Sequence, residues 1–173
     1  GGLAQAIVTE PVDDRRLDVA TILEEKLVGV APEGAPLPQG PVPLAALNAL
    51  GLVLPLPGNP LRSEIEAVAE AQGISVNVVV EVEGIRLIAD LVAAGGAASV
   101  LPETAVPTRL AGMRVVEMQG MPPRRLGLVS VRDAYLSIAD RAVRDSALRL
   151  VQEYLGASRG QLARPNVPAS PSR

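Results

Sequence analysis

Glu81 and Glu83 are the two carboxylates whose spacing most suggests chemistry. They stand two residues apart in an apolar run typical of a β-strand, so both side chains should point to one face. Such a pair can divide the roles of acid and base, or can combine a polar lining residue with a solvent-facing charge. The chain has no histidine and no cysteine, which excludes Ser-His and Cys-His nucleophile systems and the commonest zinc ligands. The sequence therefore favours binding over catalysis and predicts no cofactor and no metal site.

Binding chemistry is predicted at the turn that spans residues 57–61, PGNPL. Asn59 suits the N-cap of a following helix, and Pro60 suits its first position because the N–H there would be unpaired anyway. The first N–H groups of such a helix attract carboxylates and phosphates, and Gly58 would let a ligand approach the backbone closely. The alternative is that the Asn59 side chain simply caps the helix.

The elements that would position these groups form a strand, a helix and a second strand within residues 76–102. Alternating valines predict a strand over residues 76–82 that is apolar on both faces and therefore buried. A helix follows from Ile85, the pair Gly95 and Gly96 ends it, and a short apolar strand closes at Pro102. Such a βαβ unit favours a parallel sheet with ligands at the strand ends.

Two more helices are well signalled. One begins at Asn59 and ends at Gly73. The final helix spans residues 137–154, with Ser137 and Asp140 at capping-box spacing. The sequence after residue 155 is rich in Pro, Ser and Arg without periodicity, which predicts a disordered tail.

Composition limits the partners. The net charge is −3, and the arginine pairs 15–16 and 124–125 are interpreted as solvated turns rather than as a DNA-binding patch. Two tyrosines, with no Phe or Trp, offer no stacking platform for single-stranded nucleic acid. No apolar run is long enough to span a bilayer and no secretion signal is visible, so the cytoplasm is the default location.

Short motifs occur in a fixed order along roughly residues 3–155. They are AIV at 6–8, EKLVGVAP at 25–32, LVLP at 52–55, PGNPLR at 57–62, LVAAG at 91–95, VLP at 100–102 and RLGLV at 125–129. Their sequences and order resemble the effector-binding domain of LysR-type bacterial transcription regulators. Each motif is weak alone, but their number and order argue against chance agreement.

The resemblance implies an α/β fold of the periplasmic-binding-protein-like class, with a complete doubly wound second lobe and an incomplete first lobe. The expected divisions are a first-lobe remnant with crossover (1–24), the second lobe (25–126), a return strand and final helix of the first lobe (127–155) and the disordered tail (156–173). The winged helix-turn-helix with which the family begins is not found in these residues. The chain is therefore interpreted as a C-terminal fragment.

The resemblance also implies a function. The expected role is a non-enzymatic, ligand-sensing domain of a transcription factor that binds a small effector, favoured to be an anion, between two lobes. DNA would be contacted only through the missing N-terminal domain, and the full-length protein would form a homodimer or tetramer. A solute-binding protein of a transporter, with the same fold, is the alternative.

Candidate effector contacts follow from matching this pattern to the sequence. They are Thr9 and Glu10 after the first strand, Pro57, Gly58, Asn59 and Leu61 at the anion-binding turn, and Glu83 and Gly84 at the next helix start. The Glu83 carboxylate would favour a ligand that also carries an amine or a hydroxyl.

Overall fold

The structure, a computed structural model, describes residues 5–106, 112–132 and 137–161. Its strands are β1 (Gln5–Thr9), β2 (Leu17–Glu25), β3 (Leu27–Pro32), β4 (Val42–Pro43), β5 (Leu52–Pro55), β6 (Val78–Val82), β7 (Ser99–Pro102), β8 (Met113–Gln119) and β9 (Arg124–Val131). Its helices are α1 (Leu44–Asn48), α2 (Pro60–Ala71), α3 (Ile85–Ala93) and α4 (Ile138–Gln161), with a 3-10 turn at Glu103–Ala105.

The chain forms two compact units. Unit 1 contains Gly1–Leu23 and Arg125–Arg173, and unit 2 contains Glu24–Arg124. The chain passes from one unit to the other along β2 and returns along β9.

Unit 1 is built on a three-stranded sheet in the order β1-β9-β2, with β1 antiparallel to β9. The capping box predicted for α4 is confirmed. The Ser137 hydroxyl accepts a hydrogen bond from the Asp140 N–H at 3.1 Å, and the Asp140 carboxylate accepts one from the Ser137 N–H at 3.0 Å. These reciprocal bonds satisfy donors that the first turn of a helix otherwise leaves unpaired.

Unit 2 contains a four-stranded sheet in the order β4-β8-β3-β7 and the parallel pair β5-β6. β3 is antiparallel to both β7 and β8, and β4 is parallel to β8. A parallel bridge between Leu52 and Ala98 joins β5 to the chain leading into β7. The predicted strand–helix–strand unit is therefore confirmed, with a parallel sheet on the side of β5 and β6 and an antiparallel neighbour, β3, on the other side of β7.

The core of unit 2 is aliphatic. Its largest fully buried side chains are Leu44, Leu47, Leu52, Leu54, Leu61, Ile65, Ile88 and Leu101. Both tyrosines of the chain, Tyr135 and Tyr154, belong to unit 1, so unit 2 contains no aromatic residue. Leucine, isoleucine and valine have branched side chains that adopt few rotamers, and the small methyl group of alanine fills the space between them, so the core packs densely.

The prediction that the strand at residues 76–82 is buried on both faces is wrong. Val79 and Val80 are 51% and 41% exposed. Among the strands that the structure describes, β6 is hydrogen-bonded only to β5, so it is the outer strand of this pair. The alternating valines identified a strand, but they did not indicate its place in the sheet.

The final helix also differs from its prediction. α4 continues to Gln161, so residues 156–161 are helical rather than part of a disordered tail, and residues 162–173 lie outside the described ranges. Ala157, Arg159 and Gln161 are good helix formers, and the helix continues through them although Gly156 and Gly160 each cost about 1 kcal/mol relative to alanine. In the described ranges, no helix combines the length and apolar character needed to cross a membrane.

Candidate ligand-binding site

Two turns leave the same edge of the β5-β6 pair. The strands are parallel, with Leu54 opposite Glu81 and Pro55 opposite Val82, so both end at one edge. The turn at residues 56–59 follows β5 and leads into α2, and the turn at residues 83–84 follows β6 and leads into α3. The predicted contacts Pro57, Gly58, Asn59, Leu61, Glu83 and Gly84 therefore belong to one edge of the sheet. The carboxyl ends of parallel strands are where α/β proteins commonly bind ligands.

Both turns contain a glycine in the left-handed region. Gly58 has φ 90° and Gly84 has φ 101°, values that residues with a Cβ rarely adopt. A Cβ built at either position would meet no atom within 4 Å, so open space faces the backbone there. A small molecule can thus approach the main chain closely at both turns.

The start of α2 is capped by its own turn. Asn59 Oδ1 accepts a hydrogen bond from the Leu61 N–H at 2.9 Å, and the Asn59 carbonyl accepts one from the Ser63 N–H at 3.1 Å. Pro60 occupies the first helical position and has no N–H to offer. The predicted N-cap is confirmed, and an anion could use the Leu61 donor only by displacing the Asn59 side chain.

A buried arginine supports this edge, and sequence reasoning missed it. The side chain of Arg62 is only 9% exposed. Its Nε lies 2.5 Å from Glu66 Oε1, and its Nη1 donates to Glu81 Oε1 at 3.1 Å and to the Pro55 carbonyl at 3.2 Å. We call Arg62, Glu66 and Glu81 the Arg62 cluster. It joins the first turn of α2 to the ends of β5 and β6, and the spacing of Arg62 and Glu66 was its only sequence signal.

The Arg62 cluster changes the interpretation of the Glu81–Glu83 pair. Burial lowers the pKa of the Arg62 guanidinium, but its hydrogen bonds to Glu66 and Glu81 outweigh burial and raise that pKa. The Glu81 carboxylate is therefore paired with the permanently charged guanidinium of Arg62. Glu83 is exposed and has no hydrogen bond or ion pair to any residue that the structure describes. The two carboxylates thus have different surroundings, and Glu83 alone is open to a ligand.

The first-lobe candidates, Thr9 and Glu10, lie at the end of β1 in unit 1. The Glu10 carboxylate accepts a hydrogen bond from the Thr21 hydroxyl at 2.8 Å and lies 3.7 Å from Arg125 Nε. Arg125 in turn donates to the Thr21 hydroxyl at 2.9 Å. Glu10 is thus held by its own unit and is not a free acceptor.

The arginine pair 124–125 is not a solvated turn. Both residues begin β9, and the Arg124 side chain is only 12% exposed, with Nε 3.3 Å from Glu25 Oε1. The prediction was wrong for Arg124 because the partner that allows its burial lies far away in the sequence. Arg16 fits the prediction, since its side chain is 85% exposed in the turn before β2.

Across the ranges that the structure covers, no three His, Cys, Asp or Glu side chains are grouped as metal ligands would be.

The structure has a mixed α/β fold of the periplasmic-binding-protein-like class, with glycine turns at the ends of its parallel strands. The sequence profile described as "LysR substrate binding domain" matches residues 5–152, and the chain belongs to this family. The resemblance inferred from the motifs is confirmed. These domains are non-enzymatic ligand sensors of transcription factors, which also confirms the prediction that the chain is not an enzyme.

Solved structures share this fold. The regulatory domain of CcmR from Synechocystis PCC6803, in complex with 2-PG, has a TM-score of 0.75 at 21% identity over 86% of this chain and 73% of that chain. The effector binding domain of QuiR, in complex with shikimate, has a TM-score of 0.73 at 20% identity over 87% of this chain and 72% of that chain. HinK, a LysR family transcriptional regulator from Pseudomonas aeruginosa, has a TM-score of 0.70 at 18% identity over 86% of this chain and 53% of that chain.

The chain thus spans about half the length of HinK and about three quarters of the isolated domains. A search of curated proteins found no match. The family profile favours the regulator over the alternative of a transporter's solute-binding protein.

Proposed function

We propose that this chain is the effector-sensing part of a LysR-type transcription factor, with unit 2 as its second lobe and unit 1 as part of its first lobe. The proposed effector is a small organic anion that binds at the edge of β5 and β6. DNA would be contacted by a separate N-terminal domain of the full-length protein, so the cytoplasm is the proposed location.

The observation that carries this proposal is the pair of open glycine turns at one sheet edge. Gly58 and Gly84 both face space in which no atom lies within 4 Å of a built Cβ. Backbone N–H groups at a helix start favour anions, and close approach needs the absence of a side chain. The neighbouring Glu83 is exposed and would favour an effector that also carries a hydroxyl or amine. Thr9 and Glu10 of unit 1 are further proposed contacts.

One of the relatives supports a hydroxylated acid. QuiR is in complex with shikimate, a carboxylic acid with three hydroxyl groups, and CcmR is in complex with 2-PG. The charge of Arg62 is already balanced by Glu66 and Glu81, so we assign anion binding to backbone donors rather than to this guanidinium. The carboxylate would replace the Asn59 side chain as acceptor for the Leu61 N–H.

The test is an NMR titration of the ¹⁵N-labelled chain with shikimate, 2-PG and succinate, and with neutral methyl shikimate for comparison. We expect at least one acid to shift the amides of Gly58, Leu61 and Gly84, and the neutral ester to bind at least tenfold more weakly. If none of the acids moves these amides, or if the ester binds as well, the proposal is wrong.

Gly58→Val should abolish that response, since a branched side chain would fill the space above the turn. Gly73→Val is the matched control, because Gly73 lies just after α2, at the opposite end from Gly58, has φ 67° and also faces open space. Both variants carry similar backbone strain of about 1–3 kcal/mol. Thermal melts measure that cost. Equal loss of binding in both variants would show that strain, rather than blocked access, removes the response.

We also propose that the full-length protein assembles as a homodimer or tetramer. Among the described strands, β6 pairs only with β5, so its other edge is unpaired, and Val79 and Val80 of β6 and Leu87 of α3 are exposed. An exposed apolar strand edge commonly pairs with another chain. This surface is the proposed site of self-association.

A further inference from the structure

Glu25, Thr104 and Arg124 of unit 2 are joined by direct contacts, and the charges of Glu25 and Arg124 act on the buried carboxylate of Glu64. We call these four residues the Arg124 cluster. The Glu25 side chain is 4% exposed and Arg124 is 12% exposed. Arg124 Nε lies 3.3 Å from Glu25 Oε1, and the Thr104 hydroxyl donates a hydrogen bond to Glu25 Oε2. The Glu25–Arg124 ion pair is therefore well shielded from water, where charge interactions are strong.

This ion pair has a special place in the chain. Glu25 is the second residue of unit 2, at the end of β2, and Arg124 is its last residue, at the start of β9. These are the two segments through which the chain enters and leaves unit 2. The ion pair therefore ties one crossing segment to the other.

Glu64, on α2, is the member of the cluster without a donor. Both of its carboxylate oxygens are buried, and neither has a hydrogen-bond partner among the residues that the structure describes. Burial raises the pKa of Glu64, the charge of Arg124 opposes this rise, and the charge of Glu25 adds to it. A buried carboxylate that lacks hydrogen bonds is costly in its ionised form. Its protonation state is thus linked to the same arginine that holds Glu25.

We propose that Glu64 is a proton-operated switch on the Glu25–Arg124 ion pair, which changes how firmly the two crossing segments are tied. Ionised Glu64 competes with Glu25 for the charge of Arg124 and repels the Glu25 carboxylate. Protonated Glu64 does neither, so the attraction between Arg124 and Glu25 is not weakened by it. The tie is tighter below the midpoint of the Glu64 titration and looser above it.

The direction of the effect on stability follows from proton linkage. A carboxyl whose pKa is higher in the folded than in the unfolded chain binds more protons when folded between those two values. Stability therefore falls as pH rises from the ordinary pKa of glutamate through the raised value in the fold. The destabilisation is complete above the raised pKa and absent below the ordinary one.

The first experiment uses the unaltered chain. ¹³C NMR follows the Glu64 carboxyl and ¹⁵N NMR follows the Arg124 Nε as pH is changed. We expect Glu64 to titrate above its ordinary range and the Arg124 signal to shift with the same midpoint. A Glu64 midpoint at the ordinary value, or an Arg124 signal that does not follow it, overturns the proposal.

The second experiment compares Glu64→Gln with Glu70→Gln, the same chemical change at an exposed position of the same helix. Hydrogen exchange of the Glu25 and Arg125 amides, corrected for intrinsic rates, should slow as pH falls through the Glu64 midpoint in the unaltered chain and in Glu70→Gln. Glu64→Gln should lose this dependence and exchange slowly throughout. If Glu64→Gln keeps the dependence, another group is the switch and the proposal fails.

Urea unfolding checks whether the effect of Glu64 on stability has the size that its pKa requires. The ratio of the folding constants of Glu64→Gln and the unaltered chain should rise between acid and neutral pH. That rise should be tenfold for each unit by which the pKa of Glu64, measured by NMR, exceeds its ordinary value. A constant ratio across this range would contradict the proposed linkage.

Discussion

Two clusters in unit 2 contain the same charged residue types but differ in how their glutamates are hydrogen-bonded. Each contains one arginine and two glutamates. In the Arg62 cluster the arginine is buried and hydrogen-bonded to both glutamates, whose side chains are 46% and 41% exposed. In the Arg124 cluster, Glu25 is hydrogen-bonded and ion-paired, while the Glu64 carboxylate oxygens are buried without a hydrogen-bond donor.

The difference shows that hydrogen-bond satisfaction, rather than charge count, decides what a buried cluster does. Arg62 brings donors to acids that keep access to water, so the arrangement fixes α2 on the ends of β5 and β6 at every pH where those acids are ionised. Glu64 has lost water and gained no donor, so its charged form is penalised. The first cluster holds the fold in one state, and the second can change state with pH.

The largest effect is expected from Arg62→Met, which removes the cation and keeps the aliphatic stem. Glu81, Glu66 and the Pro55 carbonyl would lose their donor, which should lower the free energy of unfolding by about 2–3 kcal/mol. This is less than the roughly 3–5 kcal/mol for a fully buried pair, because both acids reach water. Urea denaturation at neutral pH measures this change. A loss below about 1 kcal/mol would show that the Arg62 cluster contributes little to stability.

A smaller change in stability is expected from Glu81→Gln, and it should be opposite in sign to the change caused by Glu64→Gln. This variant should destabilise by about 1 kcal/mol at neutral pH, because an amide keeps the hydrogen bond to Arg62 and loses its charge, and because partial exposure screens that charge. Glu64→Gln should instead stabilise at the same pH. Urea unfolding of both variants at neutral pH measures the two changes in the free energy of unfolding. If both variants were stabilised, or both destabilised, the contrast between the two clusters would be wrong.

The smallest effect is expected at Asp140, a partly exposed carboxylate that accepts hydrogen bonds from Ser137. Its hydrogen bonds from Ser137 lower the pKa of Asp140 below its ordinary value. The cap therefore stabilises the fold above the ordinary pKa of aspartate, and this contribution is lost as pH falls through the lowered pKa. Asp140→Asn should melt slightly below the unaltered chain at neutral pH and together with it in strong acid. A difference that persists in acid would point to packing rather than charge.

The sequence predicted features whose cause is local. Asn59 and Pro60 identified the start of α2, and Ser137 with Asp140 identified that of α4, because caps act within one turn of helix. Alternation of valines identified β6 as a strand, but its exposure depends on strand order, which is a property of the whole sheet. Local sequence patterns therefore predict which residues form a helix or a strand, whereas the pairing of distant segments decides which side chains of that element are buried.

The candidate site was predicted in part for the same reason. The turns at Gly58 and Gly84 were recognisable from glycine and cap residues, and the parallel pairing of β5 with β6 places both turns at one edge. The roles of Arg62 and Arg124 could not be predicted, since each depends on a glutamate from another element. An arginine in a sequence most often indicates a solvated surface, and only its partners show otherwise.

Because its core is aliphatic, unit 2 contains no aromatic fluorophore. All tyrosine of the chain lies in unit 1, and the chain has no tryptophan, so tyrosine emission reports only on unit 1. Far-ultraviolet circular dichroism reports on the backbone of both units. Two melting curves recorded on one sample therefore reveal which unit unfolds first, without any attached dye or introduced fluorophore.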